Sequence, residues 1–118
     1  MSMPSGPDGI EGVLETDEEL VAHLTGVGAS LLVTQRRVVI VRHRSAFRPR
    51  SGIRSWAYDS NLQVSTSPPR HGHAQFMLRT GSGARQAVSL FFAAEQWPEA
   101  QRLIREIRNR AKAARSRT

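Results

Sequence analysis

The sequence predicts a mainly β domain of seven short antiparallel strands, folded as a partly open barrel or orthogonal sandwich and capped by one C-terminal α-helix. Three observations predict it. From Leu20 to Phe92 the apolar residues come in short runs broken by glycine, proline and polar pairs, as meandering strands require. From Trp97 onward they switch to helical period. At 118 residues and 39% hydrophobic, the chain suits a single core.

Taken in order, residues 1–14 are glycine, proline, serine and acid with few large apolar side chains, and read as a flexible acidic leader. The domain is expected over 15–115 and a disordered tail over 116–118. Thr16 to Glu19 reads first as a solvated acidic stretch, with a short helical turn capped by Thr16 and Glu19 as the alternative. Leu20 to Thr25 and Ala29 to Thr34 flank Gly26-Val27-Gly28, which reads as a tight hairpin. Gln35-Arg36-Arg37 is too short a link to Val38–Arg42 for anything but a second hairpin. The basic stretch from Arg44 to Gly52 interrupts the pattern, and Ile53 to Tyr58 and Leu62 to Thr66 resume it across Asp59-Ser60-Asn61. After the linker Ser67-Pro68-Pro69-Arg70, a last hairpin runs from His73 to Thr80 and Arg85 to Phe92 across Gly81-Ser82-Gly83.

In the final segment Trp97, Ala100, Leu103, Ile104, Ile107, Ala111 and Ala114 form one apolar stripe, with the bases largely off it. Pro98 suits a first turn, where its missing N–H is not needed. Glu106 is placed to pair with Arg102 and Arg110 at i±4. A sheet of this kind has exposed edges unless it curls, and a lone amphipathic helix must bury its stripe; a curled sheet plugged by the helix satisfies both.

The net charge of +7 conceals a division. Residues 1–35 hold six acids and no Lys or Arg, whereas 36–118 hold all 17 bases against four acids, giving −6 and +13. The second part favours an anionic partner, or pairing with the first part within or between chains. Sixteen of the bases are arginine, which either binding chemistry or genomic base composition produces.

The chemistry of catalysis is thin. With no cysteine there is no disulfide framework or thiolate nucleophile, in keeping with a reducing compartment. No apolar run reaches the length of a membrane span and the N-terminus lacks a signal-peptide pattern, so a cytoplasmic location, with peripheral membrane contact as an option, is expected. Asp59 is the sole acid between residues 20 and 94, and no nucleophile elbow is present, so an enzyme is not expected. His71 and His73 have a spacing compatible with chelation, yet no acid lies nearby and they read as a polar loop. The Gly26-Val27-Gly28 and Gly81-Ser82-Gly83 fragments do not open a helix and read as turns rather than phosphate loops. Neither a cofactor nor a metal is predicted.

Leu31-Leu32-Val33-Thr34-Gln35-Arg36-Arg37-Val38-Val39-Ile40-Val41 resembles the second-to-third-strand hairpin of bacterial pleckstrin-homology-like (PH-like) domains. Glu18 and Glu19 ahead of the first strand, and Trp56 and Tyr58 on one face, also fit; Gln35 stands where that branch more often shows Asp or Asn. The resemblance, spanning roughly Glu15 to Ala114, implies a scaffold that binds proteins, peptides or lipid surfaces, often in homo-oligomers. Phosphoinositide-binding members place several bases in the first hairpin, whereas Thr25 to Ser30 here carries no charge, so that type of site is not expected.

The candidate binding surface is the band Arg36, Arg37, Arg42, Arg44, Arg48, Arg50 and Arg54, seven bases with no acid between them. It suits phosphates of nucleic acid or of an anionic membrane, or the acidic leader of a second copy. A solvated surface is the plain alternative, since strand alternation would send Arg36 and Arg37 to opposite faces. Only Phe47 and Trp56 interleave the arginines, too few aromatics for a stacking platform. The reading is therefore a non-catalytic binding or assembly module, with a protein partner or self-association ahead of anionic lipid or nucleic acid.

Overall fold

The structure is a computed structural model that describes residues 13–42, 53–59, 61–80 and 88–116. Its elements are β1 (Leu20–Thr25), β2 (Ala29–Thr34), β3 (Arg37–Arg42), β4 (Ile53–Ala57), β5 (Gln63–Arg70), β6 (His73–Arg79), β7 (Val88–Ala93), a 3₁₀ turn (Ala94–Gln96) and α1 (Trp97–Ser116). The seven expected strands and the closing helix are all present. They form two antiparallel meanders, β1-β2-β3-β4 and β5-β6-β7, that are not closed into a barrel.

The core between the sheets follows from strand alternation. Leu24, Leu31, Val33, Val38 and Ile40 from the first sheet pack with Phe76, Leu78, Leu90 and Phe92 from the second, all essentially buried. β2 and β3 are apolar almost throughout because they are covered on both faces. Their other face carries a second cluster, Leu32, Val39 and Val41, with Val13, Leu14 and Leu20 packed on it. Two side chains from the expected leader thus contribute to packing.

One corner joins the sheets. The Val27 N–H donates to the Phe91 carbonyl at 2.7 Å, bringing the β1–β2 turn onto β7. A Cβ at Gly26 would collide with the Leu90 side chain and the Phe91 carbonyl, so the close approach requires glycine. Gln96 reinforces the corner, donating to the Thr25 carbonyl at 2.9 Å and accepting from the Ala93 N–H at 3.2 Å.

The helix behaves as its period predicts. Ala100, Leu103, Ile104, Ile107 and Ala111 are buried, and α1 lies against β5 and β1. Trp97 stacks on Phe92 with ring centroids 6.4 Å apart. On its flanks, Gln101 donates to the Thr66 hydroxyl at 2.9 Å and Arg108 to the Val64 carbonyl at 3.0 Å. The Glu106–Arg110 pair forms at 2.6 Å.

Two local expectations are corrected. Ser67 to Arg70 is not a linker: β5 runs through both prolines to Arg70, with a shift of register between Ser67 and Arg70. An edge strand tolerates this because the missing N–H groups need not face a partner. The turn is then only His71-Gly72, whose positive φ values of 56° and 84° suit a two-residue hairpin. At the N-terminus, the bonded turn is not Thr16 to Glu19 but Glu15 to Glu18, where the Glu18 N–H donates to the Glu15 carbonyl at 3.0 Å. The return bond, from the Glu15 N–H to the Glu18 carboxylate, is also 3.0 Å.

Candidate functional site

Of the seven arginines singled out in the sequence, Arg44, Arg48 and Arg50 lie outside the described residues. Arg36 stands in the β2–β3 turn, Arg37 opens β3, Arg42 ends it, and Arg54 lies on β4 opposite Ile40. Alternation does not separate Arg36 from Arg37, because Arg36 precedes the strand. Both guanidinium groups reach the same acidic segment, residues 15–18.

The two contacts differ in kind. Arg36 pairs with Glu15 at 3.0 Å and with Asp17, and its side chain remains 45% exposed. Such pairs are screened by water and salt and hold the arginine loosely. Arg37 instead grips the fully buried Glu18 carboxylate through Nε at 2.8 Å and a terminal nitrogen at 2.9 Å, and donates to the Val13 carbonyl at 2.8 Å. Thr34 completes the carboxylate's shell with a 2.7 Å hydroxyl bond. Arg37 first, then the Thr34 hydroxyl and the Glu15 N–H, outweigh burial and lower the Glu18 carboxyl to about 2. Arg37 is thus committed to the fold, while Arg36 stays at the surface in exposed ion pairs.

Gln35 and Tyr58, noted in the sequence only for the family resemblance, act at this end as well. Gln35 clamps the acidic segment with both halves of its amide, accepting from the Glu19 N–H at 2.7 Å and donating to the Asp17 carbonyl at 2.9 Å. Tyr58 donates to the Thr34 carbonyl at 2.6 Å, with Arg110 over its ring at 6.0 Å. Burial pushes its hydroxyl up to about 12. The −6 and +13 division pointed to acid–base pairing, but only tertiary contact selects Glu18 for Arg37.

Of the remaining described arginines of the band, Arg42 ends β3 and Arg54 lies on the neighbouring β4, the last described strand of the first sheet. Arg54 stacks over the half-buried Trp56 ring at 5.4 Å. No described strand lies beyond β4, and Ile53, Arg54, Ser55 and Ala57 are all exposed. On the face opposite Arg54 and Trp56, the exposed side chains Ile53, Ser55 and Ala57 are uncharged.

On the second sheet, a depression of about 550 Å³ is bounded by the β5–β6 hairpin and Phe91, and an adjoining one of about 240 Å³ continues through Gln75 and Met77. His71 and His73 flank the hairpin glycine. Among the described residues, no three His, Cys, Asp or Glu side chains converge as a metal site, and no helix is long and apolar enough to cross a membrane.

The fold is that of a PH-like domain. The chain is similar in structure to the pleckstrin homology domain from Shewanella amazonensis SB2B, with a TM-score of 0.57 and 18% sequence identity, over 83% of this chain and 90% of that one. No protein-family model matches the sequence, and no curated protein matches it.

Proposed function

We propose that this PH-like domain is a non-catalytic interaction module that takes a protein strand, from a partner or a second copy, on the edge of β4. The observation that carries the reading is the exposed β4 edge, with Ile53 38% exposed and no described strand beyond it. The edge of a sheet can take an added strand through its N–H and C=O groups, and natural domains blunt such edges with charge or proline when no partner is intended. β4 carries one charge, Arg54, and that side chain is turned onto Trp56. Arg42, next to Val41 that pairs with Ile53, adds positive charge beside this edge, and Arg44, Arg48 and Arg50 follow it in the sequence.

Sedimentation velocity over a range of concentrations and salt tests self-addition. The domain should associate, and Ala57→Lys, a charge placed on the edge, should return it to monomer with its circular dichroism unchanged. A monomer under all conditions, together with no partner lost on Ala57→Lys in a cross-linking comparison, refutes the reading.

A second reading, an anionic surface held by the same arginines, is favoured by the absence of any acid from residue 20 to 58. Filter binding of single-stranded DNA and sedimentation with phosphatidylserine vesicles decide it; no retention of either at low salt removes it.

A further inference from the structure

The outer face of the three-stranded sheet combines a concave apolar floor, a cationic rim and two blocked edges. Strand alternation buries Phe76, Leu90 and Phe92 and turns Gln75 and Phe91 outward, directly opposite each other across β6 and β7. Phe91 is 52% exposed, a large apolar area to leave in water. Beside it, Pro68 and Pro69 wall the 550 Å³ depression, and Gln75 is common to this and the smaller one, so the two form one groove along β6.

The rim is cationic. Arg70 and His71 border one end and Arg79 the other, and among the described residues no Asp or Glu lines either depression. Between Asn61 and Ala94 the chain contains no acid at all. A groove of this composition complements negative charge around an apolar anchor.

Its edges tell how a partner must lie. On the β5 side, Pro68 and Pro69 lack the N–H groups that an added strand would use, and the ladder is irregular there. On the β7 side the Phe91 carbonyl is taken by Val27. A partner near Phe91 therefore lies across the face instead of extending the sheet. A single apolar side chain with flanking acids fits such a depression.

We infer that the outer face of β5-β6-β7 is a docking groove for an acidic peptide segment bearing a large apolar side chain, seated against Phe91, Pro68 and Pro69 with its carboxylates toward Arg70 and Arg79. This site is separate from the β4 edge and does not depend on it.

The test is fluorescence anisotropy of the full chain with a fluorescein-labelled synthetic peptide, Gly-Glu-Asp-Phe-Asp-Glu-Gly, at low and moderate salt. Saturable binding is expected, weakened at least about tenfold when the peptide's Phe becomes Ala or its acids become lysines. Phe91→Ala and, separately, Arg79→Glu should each weaken it at least about tenfold with thermal unfolding little changed, since both side chains face outward. Ala57→Lys should leave it unaltered, which separates this groove from the edge. No saturable binding, equal affinity for the Phe and Ala peptides, insensitivity to both groove variants, or retention on phosphatidylserine vesicles without peptide binding overturns the inference.

Discussion

Replacing Glu18 by glutamine probes the buried ion pair that fastens the N-terminal segment to the β2–β3 turn. The folded carboxyl is lowered from 4.5 to about 2, chiefly by its bonds to Arg37 and against the opposing effect of burial. A group depressed in the folded state contributes stability that is fully present above its unfolded value. That stability is lost as pH falls through the folded value. The difference corresponds to about 3 kcal/mol at neutral pH, draining away between about pH 4.5 and 2. Glu18→Gln keeps the side chain's shape, so the stability gap between wild type and variant should approach this value at neutral pH and shrink toward zero near pH 2. Urea unfolding followed by tryptophan fluorescence, at stepped pH, measures the gap directly. Arg37→Met should cost more, about 3–5 kcal/mol, because it leaves the carboxylate buried without its cation. The double variant should recover part of that loss, as contacting residues couple. A gap that is the same at pH 7 as near pH 2, or strict additivity of the two substitutions, would refute the assignment of Glu18 as Arg37's buried partner.

Other expectations concern the corner and the clamp. Gly26→Ala should destabilise by about 1–3 kcal/mol, because the added methyl meets Leu90 and the backbone of Phe91; thermal denaturation measures this, and an unchanged midpoint would count against the corner. Tyr58 is the only tyrosine, so its ultraviolet titration is unambiguous, and its midpoint should lie near 12 rather than 10. Because ionisation is disfavoured in the folded state, stability should decline as pH rises from 10 toward 12, and Tyr58→Phe should abolish that component of the decline. Gln35→Asp removes the donor to the Asp17 carbonyl and adds a charge beside an acidic segment, so amide exchange at Glu19 should quicken while exchange in the β2 and β3 interiors stays slow.

Much of the fold was legible because its signals are local. Glycine pairs and apolar alternation located the strands, and the 3.6-residue period located the helix stripe from Ala100 to Ala111 that the structure buries. The two prolines of β5 misled because local chemistry disfavours proline in a strand, whereas an edge position with a broken register accepts it. The acidic segment misled for a related reason: five residues of glutamate, aspartate and threonine, 15–19, look solvated until a partly buried arginine supplies the partner for Glu18. Gln35, read only as an unusual turn residue, has no sequence signature for a clamp, since its two partners lie 16 and 18 residues away.

By itself, then, the sequence determined the order of seven strands and one helix, the apolar core positions and the separation of acid from base, because these depend on neighbouring residues and on composition. Only the tertiary structure decided which arginines are committed and which are exposed, since Arg36 and Arg37 are chemically identical neighbours. One meets water-exposed carboxylates and the other a carboxylate removed from water, and that difference in surroundings makes Arg37 part of the scaffold and leaves Arg36 at its surface.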